Sequence, residues 1–137
     1  MARVVLDTNV LASALGRGGI PGAVFKLAII KQITAVTSLF LLAELSEVLA
    51  KKFDFASDKI NLIEKKLKKK FILVNPRRVV EVLPDNNPDN RVLEAALEGN
   101  CDYIVTGDKQ LLQLVSWEGI RILTGRDFYE QYLGRNS

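Results

Sequence analysis

The sequence predicts an α/β protein built on a parallel sheet with helices on both faces, and three observations carry that expectation. Short runs, nearly continuous in apolar residues, alternate with longer stretches of helical spacing, the pattern of strands buried on both faces by crossover helices. Two of those runs lead directly to an acidic residue, Asp7 and Asp108, at the carboxyl ends where such sheets bind their ligands. A chain of 137 residues, 48% apolar and 26% charged, is the size of one globular domain with its own core. A single domain over residues 1–137 is therefore expected.

Arg3 to Leu6 reads as the first strand, and Thr8 or Asn9 can cap the helix that Val10-Leu11-Ala12 begins. Gly16 to Gly19 is a loop, Pro21 stands at a helix-start position, and a second helix covers about Gly22 to Lys31. Ile33 to Thr37 is a buried strand. Ser38 then caps a helix through about Lys52, with Leu41, Leu45, Val48 and Leu49 on one face. Ser57 or Asp58 opens a further helix with Ile60, Ile63 and Leu67 apolar. Phe71 to Val74 is a strand ended by Pro76, Val79 to Leu83 another extended run, and Pro84 to Pro88 a loop in which Asn86-Asn87 favours a turn. Asp89 to Glu98 is a helix stopped by Gly99, with Val92, Leu93, Ala96 and Leu97 inward. Tyr103 to Thr106 is a strand, Asp108 to Leu114 a helix, Ile120 to Leu123 a strand, and Thr124 caps a final helix through about Tyr132.

Composition narrows the chemistry. No apolar run approaches the roughly 18 to 20 residues needed to cross a bilayer, and no basic region precedes the first strand as in a secretory signal, so a cytoplasmic protein without membrane contact is expected. Cys101 is the only cysteine; an intrachain disulfide and a thiolate-rich metal site are excluded, and a buried apolar role follows. There is no histidine, which removes imidazole bases, Ser-His-Asp triads and histidine zinc sites. Net charge is +3, but between Lys51 and Arg78 ten basic residues face three acidic ones, a local balance of +7 against −4 elsewhere. That stretch, with Lys65, Lys66, Lys68, Lys69 and Lys70 at its centre, is either the solvated face of a helix or a track for a polyanion.

The acids that remain form a pattern. Val4-Val5-Leu6-Asp7-Thr8-Asn9, Pro88-Asp89-Asn90-Arg91 and Tyr103-Ile104-Val105-Thr106-Gly107-Asp108 each place a carboxylate at the end of a strand or the start of a helix. Glu44 adds a fourth, one turn from Leu41 and Val48 on a face that should be buried. Asp89 and Asp108 taken singly are also ordinary N-cap positions. As a set, four gathered carboxylates repel one another unless a cation joins them. A hard divalent ion with oxygen ligands, and metal-assisted chemistry on phosphates, is the expectation.

These residues resemble those of the PIN-domain nucleases, close to the toxin-type, VapC-like ribonucleases of toxin–antitoxin pairs. The resemblance rests on Asp7-Thr8-Asn9-Val10, on Glu44, on Pro88-Asp89-Asn90-Arg91-Val92-Leu93-Glu94-Ala95-Ala96 and on Asp102-Tyr103-Ile104-Val105-Thr106-Gly107-Asp108-Lys109, and spans about Arg3 to Leu123. It implies a three-layer α/β/α sandwich around a parallel sheet of about five strands, with an acidic pocket for Mg²⁺ or Mn²⁺. It further implies that Asp7, Asp89 and Asp108 are metal ligands, directly or through water, that Glu44 is a ligand or an acid behind the ligands, and that Asn9 and Thr106 line the pocket.

The implied activity is metal-dependent hydrolysis of RNA, with a cognate antitoxin and a homodimer among the partners. One departure stands out: related sequences often carry extra acids just before the Asp89 position, where this chain has Asn86-Asn87-Pro88. A PIN-like domain that binds RNA or protein without cutting is the alternative. Phosphoaspartate folds fit less well, since a haloacid-dehalogenase-type phosphatase wants an Asp at the position of Asn9. Gly16-Arg17-Gly18-Gly19 lacks the Gly-Lys-Ser/Thr ending of a phosphate loop.

Overall fold

The computed structural model describes residues 1–135; positions 136 and 137 of the expected domain lie outside the described residues. Five strands run parallel: β1 (Arg3–Leu6), β2 (Thr34–Ser38), β3 (Ile72–Val74), β4 (Tyr103–Val105) and β6 (Ile120–Leu123). A sixth, β5 (Ser116–Trp117), pairs antiparallel with β6 at the edge. The order across the sheet is β3-β2-β1-β4-β6-β5. The chain builds outward from β1 through β2 to β3, then crosses to the other side of β1 for β4. The point where winding reverses therefore lies between β1 and β4.

Alternation along the strands divides the core into two layers. Val4 and Leu6 of β1, Ala35 of β2, and Tyr103 and Val105 of β4 face one cluster. It is completed from α1 (Thr8–Gly16), α2 (Gly19–Ile29), α3 (Leu39–Phe53), α4 (Ser57–Lys70) and α7 (Gly125–Arg135). Val5, Val36 and Ile104 face the opposite side, where α5 (Asn90–Glu98) supplies Val92, Leu93, Ala95 and Ala96 and α6 (Lys109–Gln113) supplies Leu111. A parallel sheet apolar on both faces has to be covered on both, and the result is the expected three-layer α/β/α sandwich. Among the described residues no helix is long and apolar enough to cross a membrane.

The helices follow their faces and caps. Ser38 Oγ accepts the Leu41 amide and opens α3, whose Leu42, Leu45 and Leu49 enter the first core while Leu41 enters the second. Gly99 ends α5 as expected. A Cβ there would stand 2.7 Å from Val36 Cγ1, so the glycine allows α5 to lie close on β2.

The structure corrects several expectations. Helix α1 is capped by Asp7 itself, whose Oδ1 accepts the Thr8 amide at 2.7 Å, rather than by Thr8 or Asn9. Helix α2 starts earlier, at Gly19, and ends at Ile29. Val79 to Leu83 forms no strand. Its backbone is held instead by side chains of α5: Val80 N–H donates to Glu94 Oε2, Leu83 N–H to Asn90 Oδ1, and Asn90 Nδ2 donates back to Leu83 O. Strand β5 has no counterpart in the sequence reading, because two residues are too few to set up an apolar alternation. Its turn, Glu118-Gly119, has positive φ at both positions, the geometry of a tight hairpin.

Candidate active site

The carboxyl edge at the reversal point is built first by the sheet. Leu6 pairs in register with Val105, so the next residues, Asp7 and Thr106, come level with each other. Asp7 is 3% exposed and Thr106 fully buried. Thr106 Oγ1 donates to Asp7 Oδ2 at 2.7 Å and accepts the Asp108 amide at 3.0 Å. One hydroxyl thus ties the end of β1 to the turn after β4.

Each remaining acid is brought in by a helix. Asp108 Oδ1 accepts the Gln110 and Leu111 amides and caps α6, so this residue does fill the N-cap role that its position suggested. Glu44, half-buried on α3, accepts a 2.6 Å hydrogen bond from Thr8 Oγ1. Asp89 precedes α5 but caps nothing with its side chain. Its own amide is held by Asn87 Oδ1 at 2.9 Å, and Asn87 Nδ2 also reaches Gln110 Oε1 on α6. The Asn86-Asn87-Pro88 loop therefore acts as a brace between Asp89 and α6, while Asp85 is exposed in a left-handed turn.

The electrostatics follow from the crowding. Burial, then the charges of Asp7 and Asp108, then a hydrogen bond with Asp108 and the charge of Glu44 push the Asp89 carboxyl up to about 7. Burial also raises Asp7, opposed by the hydrogen bonds from Thr106 and the Thr8 amide and reinforced by Glu44 and Asp108. No Lys or Arg contributes to either shift.

That donor set suits a hard cation, since its carboxylates offer oxygen. Among the described residues no three acidic side chains converge on one point at ligand distance.

Asn9 is exposed just beyond the acids and, with Thr106, lines a neighbouring cleft. The lysines are not part of this assembly. Lys65, Lys66, Lys68 and Lys69 are exposed on α4, and the Lys70 carbonyl accepts Lys31 Nζ beside the entries to β2 and β3, at the opposite edge of the sheet. Sequence reading gave no role to Asn90 and Glu94, both buried. They hold the strandless segment and, through it, the approach to Asp89. Their four-residue spacing on an otherwise apolar helix face was the available sign.

The sequence pattern of the PIN domain matches residues 3–110. This chain belongs to the PIN domain family. Solved structures with the same fold include VapBC-1 from nontypeable Haemophilus influenzae, with a TM-score of 0.62 and 16% identity over 90% of this chain and 98% of that one. VapBC2 from Rickettsia felis, bound to a DNA fragment from their promoter, gives 0.57 and 17% over 88% and 96%. FitAcB from Neisseria gonorrhoeae gives 0.55 and 15% over 90% and 98%. No curated protein sequence matches the chain. In this PIN domain the family match ends at residue 110, just past Asp108, and so takes in all four acids.

Proposed function

We propose that the protein is a divalent-metal-dependent endoribonuclease, the toxin of a toxin–antitoxin pair. The observation that carries the reading is the gathering of acids at the carboxyl edge where the winding reverses: Asp7 tied to Thr106, Asp108 capping α6 and Asp89 ahead of α5, near enough that Asp7 and Asp108 both raise the Asp89 carboxyl. Asp7, Asp89 and Asp108 would hold Mg²⁺ or Mn²⁺, directly or through water, with Glu44 as a ligand or an acid behind them. The bound ion would lower the pKa of a water and stabilise charge on the phosphoryl oxygens.

The chain's own residues orient and order. Thr106 fixes one oxygen of Asp7, Thr8 fixes Glu44, and the first amides of α6 fix one oxygen of Asp108. Asp7 has its second oxygen held as well, by the Thr8 amide. With no histidine in the chain, a metal-bound water would supply the nucleophile without an imidazole base. The exposed lysines of α4 add a general attraction for a polyanion.

An antitoxin partner rests on the resemblance of the sequence to toxin-type PIN domains and on the likeness of the fold to the VapBC and FitAcB structures. Exposed Leu39, Phe40 and Leu73 leave apolar surface at the β3 edge for an antitoxin or a second copy.

The test is cleavage of single-stranded RNA by purified protein with Mg²⁺ or Mn²⁺ and with excess chelator. Activity should vanish in chelator and in Asp7→Asn and Asp108→Asn. Thr106→Val should reduce it about 10- to 100-fold by loosening Asp7. Cutting that survives chelation would refute the metal role. RNA bound but never cut would favour the non-catalytic binding domain.

A further inference from the structure

Beside the acids lies a second cleft, of about 330 Å³, that shares Thr106 with them. Its composition differs from that of the acid pocket. Asn9 and Ser13 of α1, Thr124 and Arg126 at the start of α7 provide polar groups, and Val10, Ile20 and Pro21 provide an apolar wall. No acidic side chain lines it, and Arg126 is its one charged group.

The cleft is fixed by the fold rather than by a mobile tip. Thr106 N–H donates to Leu123 O at 2.9 Å, which sets Thr124 at the same sheet edge as Thr106. Thr124 Oγ1 accepts the Asp127 amide, leaving its own hydrogen to donate outward. Arg126 is exposed, and among the described residues its guanidinium has no carboxylate or carbonyl partner. An arginine without an internal partner, between two hydroxyls and an amide, suits a phosphate. The apolar Ile20-Pro21 wall suits the flat sugar-base unit attached to it.

We infer that this cleft seats the nucleotide next to the scissile phosphate, with Arg126 on that nucleotide's own phosphate and Ile20-Pro21 against its sugar and base. The inference rests on the ribonuclease reading and names the residues that position the substrate for it. Arg126 touches a flanking phosphate and not the reacting one, so it is a positioning residue. Its contribution is the same before and during reaction, and should appear in KM rather than kcat.

The experiment compares wild type, Arg126→Ala and Arg126→Lys on a single-stranded RNA cut at one site. A matched RNA carries a neutral methylphosphonate in place of the phosphate one nucleotide from the cut, tried on each side. Arg126→Ala should raise KM about tenfold with kcat unchanged and lower the salt slope of binding by about one. Arg126→Lys should recover part of the loss. On one of the neutral RNAs, wild type should fall to the level of Arg126→Ala, and the variant should lose nothing more, as coupled partners require.

Melting temperatures of the variants should match wild type, because the side chain is exposed. Wild type that cuts while Arg126→Ala keeps its KM and salt slope would overturn this inference alone. So would a loss confined to kcat, or additive losses on the neutral RNAs. Wild type that neither binds nor cuts RNA would overturn the ribonuclease reading and this inference together.

Discussion

Asp89 carries the most perturbed acid of the pocket, and its titration has a sign that can be measured. Its folded pKa, about 7, lies above the ordinary 3.8, so the folded state binds a proton more tightly than the unfolded chain does. The associated stability is fully present below about 3.8 and is lost as pH rises through about 7. In metal-free buffer the melting temperature should therefore fall between pH 5 and pH 8 by more in wild type than in Asp89→Asn. The variant should be the more stable protein at pH 8. A flat wild-type profile over that window would contradict the crowding of Asp89 against Asp7 and Asp108. Cys101 behaves oppositely to a reactive group: buried, with its thiol pushed up to about 12 chiefly by that burial, it stays protonated and packs as an apolar side chain.

Helix α5 does two jobs at once, and its sequence displays only one. Val92, Leu93 and Ala96 recur at helical spacing, so the packing face was legible. Asn90 and Glu94 interrupt an otherwise apolar face, and they take the backbone partners that a neighbouring strand would have given residues 80–83. The apolar run Val79 to Leu83 invited an extended reading because propensity reports the run itself and not where its amide protons find acceptors. Asn90→Ala would orphan the Leu83 amide and carbonyl in a fully buried setting. A loss of about 1–3 kcal/mol per group is expected, read by denaturant unfolding, with faster hydrogen exchange at Leu83. If Leu83 stays protected in the variant, the segment is held by something other than α5.

Across the whole molecule, sheet order explains which parts of the site could be read in advance. Asp7 and Asp108 follow apolar runs read as strands of one parallel sheet, so a place at the same carboxyl edge followed from topology, while the adjacency of their strands came only with the structure. Glu44 was marked by its position on an apolar helical face. Asp89 has no such support, and only three-dimensional bracing through Asn87 and Asn90 puts it there. The lysine run was legible as charge but not as location, since helical spacing says nothing about which edge of the sheet a helix end reaches.

Because four acids repel within one fold, a bound cation should stabilise the entire domain. Mg²⁺ or Mn²⁺ at about 100 times its dissociation constant should add about 2.7 kcal/mol, seen as a raised melting temperature that Asp7→Asn abolishes. An unchanged melting temperature in both would argue against the ion. The Thr106–Asp7 hydrogen bond joins residues 99 positions apart, and that separation acts as a clock during synthesis. A ribosome-bound chain exposes Asp7 and Glu44 early but has no pocket until the centre of the sheet closes around β4. The pocket can thus assemble only after the segment through Asp108 has emerged, late in translation relative to its first acid.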